Sequence, residues 1–77
     1  MTCDDSFVLI TCDEKNIDAA YDDIISIPTV KNVYRIQGIY DLLVHIVESN
    51  DTVKETVQTK IRYVNGVRST LTLLSYT

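Results

Sequence analysis

Twice within 77 residues, a run of β-forming apolar residues gives way to an apolar stripe at helical spacing and then to a second β run. The first run, Ser6-Phe7-Val8-Leu9-Ile10-Thr11-Cys12, is short and rich in strand formers. Asp13 follows as a candidate N-cap, with Glu14 favourable in the first turn. Ile17, Ala20, Tyr21, Ile24 and Ile27 recur on one helical face, and Asp18, Asp22 and Asp23 fall off it. Pro28 ends this helix, because it lacks an N–H and clashes with the preceding turn. The cycle then repeats. Val30 to Gln37 reads as a strand, Gly38-Ile39-Tyr40 as a tight connection, and Asp41 to Glu48 as the third strand. Ser49, Asn50 and Asp51 offer caps to a second helix whose stripe is Val53, Val57, Ile61 and Val64. Lys60 and Arg62 suit the negative end of its dipole. Asn65-Gly66 stops it, with Gly66 expected at positive φ, and Val67 to Tyr76 is the last strand.

The spacing thus predicts helices near residues 14–27 and 51–64. The halves resemble each other at an offset of 37: Phe7, Leu9 and Ile10 fall on Val44, Ile46 and Val47, and Ala20, Ile24 and Ile27 on Val57, Ile61 and Val64. Val30 and Ile36 likewise fall on Val67 and Leu73. Two tandem βαβ halves describe an α+β, ferredoxin-like βαββαβ fold over residues 1–77 as a single domain. Right-handed crossovers put both helices on one face of a four-stranded antiparallel sheet.

A chain this short buries a small core and usually needs a disulfide, a metal or a partner. Cys3 and Cys12, nine residues apart, fit no zinc or redox spacing, so two free thiols are expected, with Cys12 partly buried. Oligomerisation is the remedy left. The first and third strands are apolar on both faces, where an antiparallel sheet covered on one side ordinarily alternates with polar residues. A monomer would leave a patch of interface size in water. The expectation is a homodimer formed sheet to sheet, with Val8, Ile10, Leu43, Val47 or their opposite-face neighbours buried between subunits.

Charge narrows the partners. The net charge is −4, with 11 acids against 7 bases, and residues 1–30 carry seven acids against Lys15 alone. That balance argues against a dedicated nucleic-acid surface, which needs clustered Lys and Arg. No apolar run reaches the length of about twenty residues that spans a bilayer. The acidic start, Met1-Thr2-Cys3-Asp4-Asp5, lacks the basic opening of a signal peptide, so a soluble cytoplasmic protein without membrane contact is expected.

Catalytic signals are absent. His45 is the sole histidine and stands mid-strand among Leu43, Val44, Ile46 and Val47, as a hydrogen-bonded interface residue does. Nothing in the sequence sets a second ligand, a nucleophile or a base beside it. With only Gly38 and Gly66, the chain has no glycine-rich phosphate loop. No enzyme activity, metal or cofactor is expected. The segment Gln37-Gly38-Ile39-Tyr40-Asp41 stands apart, because it joins a glycine, an aromatic ring and a carboxylate in one tight turn. Glycine lets backbone groups approach a ligand closely. Asp41 has two readings: it accepts from a ligand ammonium, or from the turn's own N–H groups.

These residues resemble a known family. Val33-Tyr34-Arg35-Ile36-Gln37-Gly38-Ile39-Tyr40-Asp41-Leu42-Leu43-Val44 looks like the Gly-x-Tyr-Asp segment of the Lrp/AsnC effector-binding domain, also called the RAM domain. Gly66-Val67-Arg68-Ser69-Thr70-Leu71-Thr72-Leu73 is similar to its closing Thr-x-Thr strand, and Ile27-Pro28-Thr29-Val30 to its Ile-Pro-Gly-Val. The resemblance covers essentially the whole chain. It implies a ferredoxin-like domain that dimerises through its sheet and groups into an octamer-type ring of dimers. It also implies an amino-acid effector where dimers meet, near Gly38, Ile39, Tyr40 and Asp41, with Thr70 and Thr72 contributing. Full-length members carry a helix-turn-helix. This chain starts at the first strand, so it resembles the stand-alone version, a partner of full-length regulators that does not bind DNA itself. Ile39, Leu71 and Thr29 depart from the family pattern; at 39 and 71 an apolar contact between dimers, without effector, is an alternative. An ACT-like regulatory subunit of a metabolic enzyme, a purely structural assembly module and a small dimeric enzyme of similar fold are the competing readings.

Overall fold

Alternate residues of the first strand divide between inside and outside. Ser6, Val8, Ile10 and Cys12 are buried, whereas Phe7, Leu9 and Thr11 between them are half-buried. A strand behaves this way when helices cover one face of its sheet. The computed structural model describes residues 4–74. Cys3 and Tyr76, named above, lie outside them. Strands β1 (Asp4–Cys12), β2 (Val30–Arg35), β3 (Leu42–Glu48) and β4 (Val67–Leu73) form an antiparallel sheet in the order β2-β3-β1-β4. Helices α1 (Ile17–Ile25) and α2 (Asn50–Thr59) complete the βαββαβ order. Each expected helix is part α and part 3-10: Glu14–Asn16 precedes α1 and Ile61–Tyr63 follows α2 as single tight turns.

Both helical stripes enter one core. Ala20, Ile24, Ile27, Val53, Val57 and Ile61 pack with Val8, Ile10, Val33, Leu42, Val44 and Ile46 from the sheet. Ile17, Tyr21 and Val64 border that cluster. Thr56 is also buried, although it lies off the expected stripe. Its hydroxyl meets that of Thr29 at 2.9 Å, which satisfies both while tying α2 to the start of β2.

Helix starts follow their local chemistry unequally. Ser49 caps α2 as expected, its Oγ accepting from the Thr52 N–H at 3.3 Å. Asp13 makes no side-chain cap. Its N–H donates to the Gly66 carbonyl at 2.8 Å and its carboxylate pairs with Arg68, so the residue joins two loops instead. Gly66 has a φ of +96°, as expected where the chain leaves the second helix. Strand β2 ends at Arg35, two residues before the expected Gln37, because Ile36 already turns its N–H onto the Asp41 carbonyl at 3.0 Å.

Two sequence expectations need correction, and both concern strand parity. Val8 and Ile10 are fully buried beneath the helices, so they cannot share an external interface with Leu43 and Val47. Phe7 and Leu9 are on the outer face with those two residues, as the pairs Phe7↔His45 and Leu9↔Leu43 require. The internal repeat holds at an offset of 37 for the helices, but β1 and β3 are equivalent at 36, where Val8 and Ile10 match Val44 and Ile46. A one-residue slip exchanges the faces of a strand.

Candidate functional site

Three connections meet at one end of the sheet: the β2–β3 turn, the β1–α1 turn and the approach to β4. They are tied by hydrogen bonds that the antiparallel order makes possible. The Asp41 N–H donates to the Ile10 carbonyl at 2.9 Å, and the Cys12 N–H donates to Asp41 Oδ2 at 2.8 Å. The β1–β3 pairing ends at Ile10↔Leu42, and just beyond it the carboxylate takes the Cys12 N–H, which points to that side of β1. In this contact the Asp41 carboxylate is tied to β1, not to its own turn. Burial pushes the Cys12 thiol above its ordinary range, and the nearby Asp41 and Asp13 carboxylates push it further in the same direction.

The sequence-derived candidates divide between two places. Gly38 has a φ of +130°, which a side chain would adopt only with strain, and it shapes the turn. Ile39 is 86% exposed at its tip, while Tyr40 and Asp41 are half-buried. Thr70 and Thr72 are half-buried on the helix-facing side of β4, paired with Ile10 and Val8. Strand β1 separates the two sets within one chain. Leu42, at the exit of the turn, pairs with Ile10, and Ile10 with Thr70. At about 4.8 Å per strand, that is roughly 10 Å across. Thr72 is in the next inward row, with Val8 and Val44.

Comparison with known proteins places the fold in a family. The family model for the Lrp/AsnC ligand binding domain matches residues 5–76. The chain belongs to the Lrp/AsnC ligand-binding domain family. Among solved structures it is similar to TTHA0845 from Thermus thermophilus, at 30% identity and a TM-score of 0.87, with 95% of this chain and 92% of that one covered. E. coli AsnC matches at 23% identity and a TM-score of 0.83 over 95% of this chain, which spans 50% of AsnC. The Neisseria meningitidis transcriptional regulator NMB0573, solved as an L-Met complex, shares the fold at 13% identity and a TM-score of 0.74, covering 95% of this chain and 49% of its own. No curated protein sequence matches.

Within this Lrp/AsnC domain, the face opposite the helices carries an apolar row across all four strands: Tyr34, Leu43, Leu9 and Leu71. Phe7, His45 and Leu73 form the adjacent row. His45 stacks on Phe7 at 4.9 Å between ring centroids, and its Nε2 meets Asp5 Oδ1 at 2.7 Å. The histidine is thus partnered, as a mid-strand face residue should be. No group of three or more His, Cys, Asp or Glu side chains suited to a metal occurs among the described residues. No helix among them is long and apolar enough to cross a membrane. Sequence reasoning missed a groove of about 440 Å³ beside β4, lined by Arg62, Val67, Arg68, Ser69 and Thr70. Its signal was available, for two arginines flank the Gly66 turn in an otherwise acidic chain.

Proposed function

We propose that this domain senses an amino-acid-like effector in a cleft completed when copies assemble, serving transcriptional regulation in the cytoplasm without binding DNA itself. The observation that carries this reading is the convergence of three connections at one sheet end. There the Gly38–Asp41 turn offers backbone polar groups and a carboxylate beside an exposed Ile39. Membership of a ligand-binding family supports it, and the L-Met complex of a distant regulator of the same fold supports the ligand class. The outer face of the sheet supports a homodimer. Dimers then group into an octamer-type ring through their Ile39 ends, and full-length Lrp/AsnC regulators are the natural heterologous partners. The net charge of −4 gives little counterion release on DNA.

A thermal-shift screen of the twenty amino acids, run with mass measurement in solution, tests this. Ligand at about 100 times its dissociation constant adds about 2.7 kcal/mol per site, a rise on the order of 10 °C for a domain this small. An assembled oligomer that responds to none of them overturns effector sensing. A purely structural assembly role then becomes the better account. One observation already favours that second reading: Asp41 Oδ2 is engaged by the Cys12 N–H.

A further inference from the structure

The groove beside β4 is cationic in a chain of net charge −4. Residues 1–30 carry seven acids and one lysine, yet this groove of about 440 Å³ is lined by two guanidinium-bearing residues and two hydroxyl-bearing ones, with Val67 as its apolar part. That volume lies within the range of small-ligand sites. A polar, cationic lining is unusual for such a site and selects a charged occupant. Arg62 has no carboxylate partner among the described residues. Arg68 meets Asp13 through Nε at 3.3 Å, and its two Nη nitrogens make no ion pair among the described residues. Asp13 thereby orients the Arg68 fork, while its own charge sets a modest penalty against an incoming anion.

We propose that this groove binds the acidic group of a small effector, a carboxylate beyond the α-carboxylate that every amino acid carries. The inference rests on the effector reading above and specifies its ligand class: a dicarboxylic amino acid is favoured over its neutral amide. The groove is at the same end of the sheet as the candidate turn, across β1 from it: Thr70 lines the groove and pairs with Ile10, whose carbonyl accepts from the Asp41 N–H. Guanidinium groups bind carboxylates through two parallel N–H···O bonds, which gives direction as well as charge. Thr70, on the helix-facing side of β4, brings a hydroxyl to the lining, whereas the Ser69 hydroxyl is held by Thr11 at 2.6 Å on the other face.

Calorimetric titration of the assembled protein with glutamate, glutamine and glutarate tests the proposal, in wild type and in Arg62→Gln, Arg68→Gln and Lys31→Gln. Lys31 is on β2, at the opposite edge of the sheet, and controls for net charge alone. The expected result is that glutamate binds more tightly than glutamine. Arg62→Gln should weaken glutamate by about tenfold, or about 1.4 kcal/mol, with glutamine unaffected and Lys31→Gln without effect. Equal affinity for glutamate and glutamine, or a preference that survives both arginine changes, overturns the groove while leaving effector sensing intact. If no amino acid binds but glutarate binds in an Arg62-dependent way, the groove stands and the effector reading fails. Binding by none of the three overturns both. Unchanged melting temperatures in the variants, both arginines being exposed, keep a folding defect from imitating the result.

Discussion

Asp41 has a structural bond in the fold and a proposed part in binding, and the two can be separated. Its Oδ2 accepts from the Cys12 N–H at 2.8 Å, just beyond the end of the β1–β3 pairing at Ile10↔Leu42. Replacing Asp41 by Ala strands a part-buried N–H and is expected to cost about 1–3 kcal/mol in denaturant unfolding. Asp41→Asn keeps an acceptor oxygen and should recover most of that loss. If the carboxylate also holds a ligand ammonium, Asp41→Asn still weakens effector binding; unaltered affinity in that variant would confine Asp41 to its structural bond. Cys12, which donates this N–H, supplies a second prediction. Its thiol is pushed upward by burial first and by Asp41 and Asp13 after that. A raised folded-state pKa means that the native protein holds the proton more firmly than the unfolded chain. The associated stability is fully present below the ordinary thiol pKa, about 8.5, and is lost as pH rises through the folded value. Urea midpoints measured from pH 7 upward should therefore fall on the alkaline side. In Cys12→Ala that part of the slope should disappear, whatever the variant's stability at neutral pH.

The elements show what could be read in advance and what could not. Helical stripes were legible because apolar residues at spacings of three and four separate clearly from the charged residues between them. Ala20, Ile24, Val53 and Ile61 are fully buried, in keeping with that spacing. Strand faces were less legible. Along β1, from Phe7 to Ile10, every residue is apolar, so no alternation marks the inward set. The sheet order decides it, and Val8 and Ile10 go inward. Turn chemistry was legible at Gly66 and Gly38, both at positive φ, but not at Asp13, whose partners Gly66 and Arg68 arrive from more than fifty residues away. The candidate turn was readable as a motif. For the groove by Arg62 and Arg68 only the charge was readable, in the two arginines that flank Gly66; its shape depends on how the tight turn after α2 meets β4. The Gly66 connection yields a test at this scale. A Cβ there would lie 2.6 Å from Asn16 Cβ, on a backbone that side chains rarely adopt. Gly66→Ala should cost about 1–3 kcal/mol, measured by chemical denaturation. Adding Asn16→Gly should return only the part due to the clash, because the backbone strain remains.

At the scale of the whole molecule, the central issue is a sheet with two apolar faces and only one layer of helices. The inner face is satisfied by α1 and α2. The outer face presents Tyr34, Leu43, Leu9 and Leu71 in a single row, and Leu71 and Leu73 are 43% and 48% exposed. Apolar area left in water costs about 25 cal/mol per Å² relative to its burial, so a second copy laid sheet to sheet is a strong stabilising solution for so small a core. Leu43 is the informative position, because it is on a central strand with both cross-strand neighbours, Leu9 and Tyr34, apolar. Its side chain contributes to the outer face and not to the helix-covered core, so Leu43→Asp should damage assembly far more than the fold of one chain. A carboxylate held between two apolar sheets, with no partner, costs several kcal/mol. Sedimentation at micromolar concentration should show wild type as a dimer or larger and Leu43→Asp as a folded species near the 8.7 kDa chain mass. The wild-type melting temperature should also rise with protein concentration, as mass action requires for an assembling fold, and the dependence should vanish in the variant. A wild-type chain that sediments as a monomer, with a concentration-independent melting temperature, would refute assembly through this face.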